Sequence, residues 1–196
     1  METTWTQDVV KITVVRLIAV AFAIVAFGFV FFRLSIFDLR VLPSQFVTSG
    51  VTASVFFAAL ASHRKKDAVI ALVVWYVVLT FLVGRWSPWE ANVHAAYVAG
   101  VGAAVYAYAG FVRRKIVRGG VQRVASAGVL TALANAAVMV YIGLFSWRTV
   151  FASTGFFASM VFRNLQFGTL VGIAFGLGAE LSAYVLRKMG VTADAG

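Results

Sequence analysis

The sequence predicts an all-α polytopic membrane protein: one domain over residues 1–196, a bundle of six transmembrane helices with both termini cytoplasmic. Three observations predict it. Of the 196 residues, 62% are hydrophobic and 12% charged, whereas soluble domains carry roughly 25% charged residues. Mean hydropathy is +0.92. The apolar residues also fall into six runs divided by short polar stretches, and a run of about 20 such residues crosses a bilayer. Two prolines argue against long linkers. The absence of cysteine excludes disulfides, thiolate metal sites and cysteine nucleophiles. The net charge of +10 is spread between apolar runs, an arrangement that fits membrane topology and anionic lipid rather than nucleic acid.

The runs cover residues 9–32, 46–62, 68–84, 93–112, 124–145 and 165–186. The first is read as a retained helix and not a signal peptide. It is long, and Phe31-Phe32-Arg33-Leu34 follows it in place of small residues that a signal peptidase could cut. The second and third are short. With a cytoplasmic amino terminus, one side of the membrane receives Lys11, Arg16, 64–66, 113–115, Arg118, Arg123, Arg187 and Lys188, twelve of the 17 basic residues. The positive-inside rule makes that side cytoplasmic. Trp86, Trp89 and Trp147 then fall at the outer boundary, where indoles settle. Stretches 32–45 and 146–164 are long enough to fold over the outer surface, the second as an interfacial helix.

The sixth run places Gly168, Gly172, Gly176, Glu180 and Tyr184 four residues apart, hence on one helix face. Glycines at this spacing let two backbones approach closely in a membrane. Ala19 and Ala23, then Ala96, Gly100 and Ala104, then Gly128, Ala132 and Ala136 repeat the spacing in other runs. They serve either internal packing or, at Ala19 and Ala23, docking of another membrane subunit. A carboxylate on such a face needs a partner, because an unpaired charge in a membrane is costly. Counting 1.5 Å per residue from the inner boundary puts Arg16 and Glu180 at nearly the same depth. The expectation is an Arg16–Glu180 ion pair between the first and last helices, the alternative being that each snorkels to the interface.

Asn135 lies near the bilayer midplane, as an interhelical hydrogen bond or a ligand contact. Trp86, Trp89, Glu90, Asn92 and His94 open the fourth run, and Asn164 and Gln166 open the sixth at the same outer level. A few polar groups converging among aromatic and apolar ones are the usual make-up of a small-molecule site, so these residues with Asn135 form the candidate substrate site. No catalytic residue, cofactor or metal is expected. His63 and His94 fall on opposite sides of the membrane, and no nucleophile, phosphate-loop or metalloprotease motif occurs.

The stretches VVRLIAVAFAIVAF (14–27), HAAYVAGVGAAVYAYAGFVRRK (94–115) and GVLTALANAAVMVY (128–141) resemble the substrate-binding S component of energy-coupling-factor vitamin transporters. The first carries that family's AxxxA pattern at Ala19 and Ala23; the others have the texture of its fourth and fifth helices. The resemblance implies a vitamin-binding membrane subunit whose first helix docks a coupling subunit served by two ATPases. Its substrate would lie under the 32–45 loop, between helices four, five and six. The second and third runs lack the family's glycine-rich texture, and Glu180 has no counterpart role. Six-helix rod-shape-determining membrane proteins look similar by the same features, which keeps a second reading open: a non-catalytic scaffold or accessory subunit in a larger membrane complex.

Overall fold

The computed structural model describes residues 7–33, 43–62, 65–83, 88–150 and 154–191. Among these the chain is helical, with no strand. Helix α1 spans Gln7–Arg33, α2 Pro43–Ala59 with a 3-10 turn at Leu60–Ser62, and α3 Lys65–Val83. Helix α4 spans Pro88–Arg113, α5 Gly120–Val150 and α6 Thr154–Lys188. Four are long and apolar enough to cross a membrane, over Gln7–Val30, Asn92–Arg113, Gly120–Leu144 and Gly155–Lys188. The described apolar part of α2, Thr48–Ser62, is shorter.

Local chemistry explains where several helices start and stop. Helices α2 and α4 open on Pro43 and Pro88, at the first helical position where a missing N–H leaves nothing unbonded. Helix α6 ends in a Schellman turn: Val191 N donates to Leu186 O at 3.0 Å, Gly190 N donates to Arg187 O at 3.1 Å, and Gly190 has φ +71°. Helix α4 ends the same way around Lys115, a left-handed residue with φ 56°. At the start of α5, Gln122 Oε1 accepts from Arg118 N and Gly119 N, bonding amides that a helix leaves free.

The stretch 146–164, expected as a separate interfacial helix, is helical among its described residues but as extensions of α5 and α6. Helix α5 runs 31 residues to Val150 and α6 runs 35 residues from Thr154, so only 151–153 separate them. The polarity of that stretch marks an exit from apolar surroundings, not a helix stop; it contains no proline and a single glycine.

Helix α6 lies between α5 and α1, and α2 sits against α1, α4, α3 and α6. The core is aromatic where α2, α4 and α6 meet. The rings of Phe57, Tyr108 and Phe175 meet edge-on with centroids 5.1–6.4 Å apart, the favourable geometry for aromatic pairs. Helix α3 is peripheral, packing on α2 and α4, and its Val69, Val73 and Phe81 face outward. It is fastened by Trp75 Nε1, which donates to Thr52 Oγ1 at 2.7 Å. Helix α1 likewise turns Ile18, Phe22, Val25 and Phe29 outward. In water such stripes would be liabilities; in a bilayer they meet hydrocarbon.

Candidate functional site

The glycine face of α6 packs directly on the backbone of α5. A Cβ added to Gly168 would stand 2.6 Å from Thr131 O, one on Gly172 would strike Ala127 O, and one on Gly176 would stand 2.9 Å from Val124 Cα. Each step of four up α6 thus meets a step of four down α5, an antiparallel register of small residues. The next step pairs Glu180 with the first turn of α5. There Arg123 Nη2 donates to Glu180 Oε2 at 2.7 Å and Nε donates to Oε1 at 2.5 Å, a two-pronged charge-assisted contact. Arg123 Nη1 donates to Arg118 O at 2.9 Å, tying the α4–α5 turn into the same unit.

This corrects the expected Arg16–Glu180 pair. Equal depth placed the two side chains at one level, but α6 turns Glu180 toward α5 while Arg16 points toward α2, its guanidinium 4.7 Å above the Phe57 ring. The Ala19/Ala23 stripe also has an internal role. Gly178 of α6 lies against it, so that an added Cβ would be 2.6 Å from Val20 Cα, 3.1 Å from Ala19 O and 3.1 Å from Ala23 Cβ. Ala19 is buried and Ala23 half-buried, so this stripe packs within the chain against α6.

The opposite end of the α4–α5–α6 unit carries a polar cluster. Tyr97 OH of α4 donates to Asn164 Oδ1 of α6 at 3.0 Å and lies 3.4 Å from Met139 Sδ of α5. Asn164 Nδ2 donates to Met160 O at 2.9 Å. One turn from Met139, Asn135 is 1% exposed; its Nδ2 donates to Thr131 O, while its Oδ1 is enclosed without a partner. Three residues before Tyr97, and so on the same face of α4, His94 has an enclosed Nδ1 that also lacks a partner. Nearby, Tyr141 OH donates to Asn92 Oδ1 at 3.2 Å. Buried polar atoms are bonded in the great majority of cases, so these two unbonded ones, one on each side of the Tyr97–Met139 contact, are the exceptions among these residues.

Asn92 and Asn164 are therefore bonded across to α5 and α4 respectively, Asn135 lies on α5 one turn from Met139, and His94 lies on α4 one turn from Tyr97. Gln166 is half-buried and makes no hydrogen bond among the described residues. Trp89 and Glu90 belong to the first turn of α4, with side chains outside the described residues, and Trp86 lies outside them altogether. Tyr97, the centre of the cluster, was not singled out by the sequence pattern. Its position one turn beyond His94 is the signal that could have found it.

Alongside the cluster, α4 and α5 leave an open cleft of about 530 Å³ lined chiefly by Ala95, Ala99, Gly100, Ala103, Ala134 and Ala137, with Asn92 and Tyr141 at one end. Among the described residues no group of His, Asp and Glu could hold a metal ion. Comparison with protein-family models, curated proteins and solved structures finds no match.

Proposed function

We propose that the chain is a multi-pass cell-membrane protein with six spans and cytoplasmic termini, and that it binds a small molecule between α4, α5 and α6 as the substrate-binding subunit of a transporter. The observation that supports this reading is the pair of unbonded atoms, His94 Nδ1 and Asn135 Oδ1, on the two helices that flank the bonded Tyr97–Asn164 pair. Asn135 Oδ1 asks for a donor, and Tyr97, in contact with Met139 one turn away on α5, supplies a ring surface. A flat heterocycle bearing N–H groups, as many vitamins are, suits that combination. Binding would proceed without chemical change to the ligand. If the resemblance to S components holds, a coupling subunit and ATPases complete the transporter, docking on a face other than Ala19/Ala23.

The test is a thermal-shift screen of vitamin-like heterocycles on purified protein, repeated with Asn135→Leu. A ligand at 100 times its Kd adds about 2.7 kcal/mol of stability, a shift that should shrink or vanish in the variant. A broad panel that leaves the melting temperature of folded protein unchanged sinks the reading. The α4–α5 cleft favours a second one, a non-catalytic accessory subunit seating a helix of another membrane protein. That reading gains from stable co-purification in mild detergent without any ligand shift.

A further inference from the structure

Arg16 is 9% exposed, and among the described residues it has no hydrogen bond and no ion pair. Its guanidinium is charged at any physiological pH. The Phe57 ring 4.7 Å beneath it offers a cation–π contact, which is weaker than the desolvation cost of burying an ion. The nearest candidate anion is taken, since both oxygens of Glu180 accept from Arg123. The register set by Gly178 against Ala19 and Val20 puts Ile12 and Leu186 about two turns further along, one turn beyond Arg16, where they close with Ala61 into an apolar layer of 0–1% exposure. That layer blocks the direct route by which the side chain would snorkel to the basic end. Tyr108 of α4 is 3% exposed, lies within electrostatic reach of Arg16, Arg123 and Glu180, and has no hydrogen bond among the described residues. Arg16 is thus a buried cation without an anion of its own, and beside it lies a phenol with no hydrogen bond among the described residues.

We infer that Arg16 anchors an oxyanion site within the basic end of the bundle, filled by the phosphate group of an anionic lipid. A guanidinium fork matches phosphate oxygens two at a time, and the Tyr108 hydroxyl can donate a further bond. Lipid is the favoured source because the apolar layer bars approach from the aqueous end, leaving approach from the bilayer side. Lys11, Arg187 and Lys188 at that end would also gather anionic lipid around the helices.

The experiment follows the melting temperature of the full chain in neutral phosphatidylcholine nanodiscs while phosphatidylglycerol replaces part of the lipid. A parallel arm adds inorganic phosphate against chloride at equal ionic strength. The expected result is a saturable rise of several degrees with phosphatidylglycerol, with half-saturation moved at least tenfold in Arg16→Gln. A saturable rise with inorganic phosphate that Arg16→Gln abolishes upholds the site and names a soluble oxyanion as its source. No saturable rise in either arm overturns the inference, and so does a rise that Arg16→Gln retains, which would belong to surface lysines and arginines. Should Arg16→Gln not fold, Arg16→Lys takes its place: weakened half-saturation upholds the site, and an unchanged value overturns it.

Discussion

Helix α5 makes two antiparallel contacts, one with α6 and one with α4, and both are built from glycine and alanine. Against α6 the backbones touch, and at Gly168, Gly172 and Gly176 there is no room for a methyl group. Against α4, an added Cβ at Gly100 would press on Val138 Cγ2, a side-chain atom that can move, and the alanines on either side leave a cleft of about 530 Å³. Small residues thus close one seam and open the other. The glycines on the α6 side decide it: a stripe of glycine brings backbones together, whereas alanines flanking a single glycine keep the helices apart without filling the space between. The polar residues follow the same division. At the closed seam Glu180 and Arg123 satisfy each other, and beside the open one His94 and Asn135 keep unbonded atoms.

The largest test of that contrast is Gly172→Leu. Its side chain would collide with the Ala127–Gly128 backbone, and forcing apart two packed backbones should cost more than the roughly 1–3 kcal/mol of ordinary overpacking. Aggregation or a lost thermal transition is the expected readout; a monodisperse protein with unchanged melting would mean the seam is not closed as described. Next comes the ion pair. A double-mutant cycle between Arg123→Met and Glu180→Gln should give coupling of about 1–3 kcal/mol, at the lower end because both side chains are 25% exposed. The same cycle between Arg16 and Glu180 should give less than about 0.5 kcal/mol.

The two asparagines should then part company. Asn164→Leu strips the acceptor from Tyr97 OH and should lose roughly 1–3 kcal/mol, while Asn135→Leu removes an unbonded Oδ1 together with an Nδ2 bond to Thr131 O, a carbonyl within the helix ladder, and should be near neutral or stabilising. Chemical denaturation of both variants checks this, and equal losses would contradict it. The smallest effect belongs to Ala99→Leu, in the open cleft, which should change stability by no more than about 0.5 kcal/mol. A large loss there would show the cleft to be tighter than its lining suggests.

Hydropathy alone reveals the helices, and the period-four glycines reveal which face of α6 is crowded. The partner of that face was also in reach. Gly128, Ala132 and Ala136 carry the same period on α5, and running it down the helix leads to Gly120 and its neighbour Arg123, level with Glu180. Depth counting chose Arg16 instead because depth fixes a level in the membrane but not a direction around the helix axis. The polar cluster was legible as a region, through Asn92, His94, Asn135 and Asn164, because amides in apolar runs are conspicuous. Tyr97 was not, since aromatics are common in every run. The Trp75–Thr52 bond was likewise hidden: α3 is apolar on all sides, so no periodicity marks which face turns inward.

The contact between Gly178 and the Ala19–Ala23 face also bears on how the protein is made. Helix α1 leaves the ribosome first among the six, and the helix that covers it emerges last. At roughly 5–20 residues per second, the interval between Val20 and Gly178 is on the order of ten seconds or more. Throughout that time α1 holds a small-residue face ready with nothing of its own chain to close on. The ring of helices is completed only by the final addition. A nascent chain stalled before α6 would therefore carry two unmatched surfaces, one on α1 and one on α5, and both would be open to the membrane's quality-control proteases.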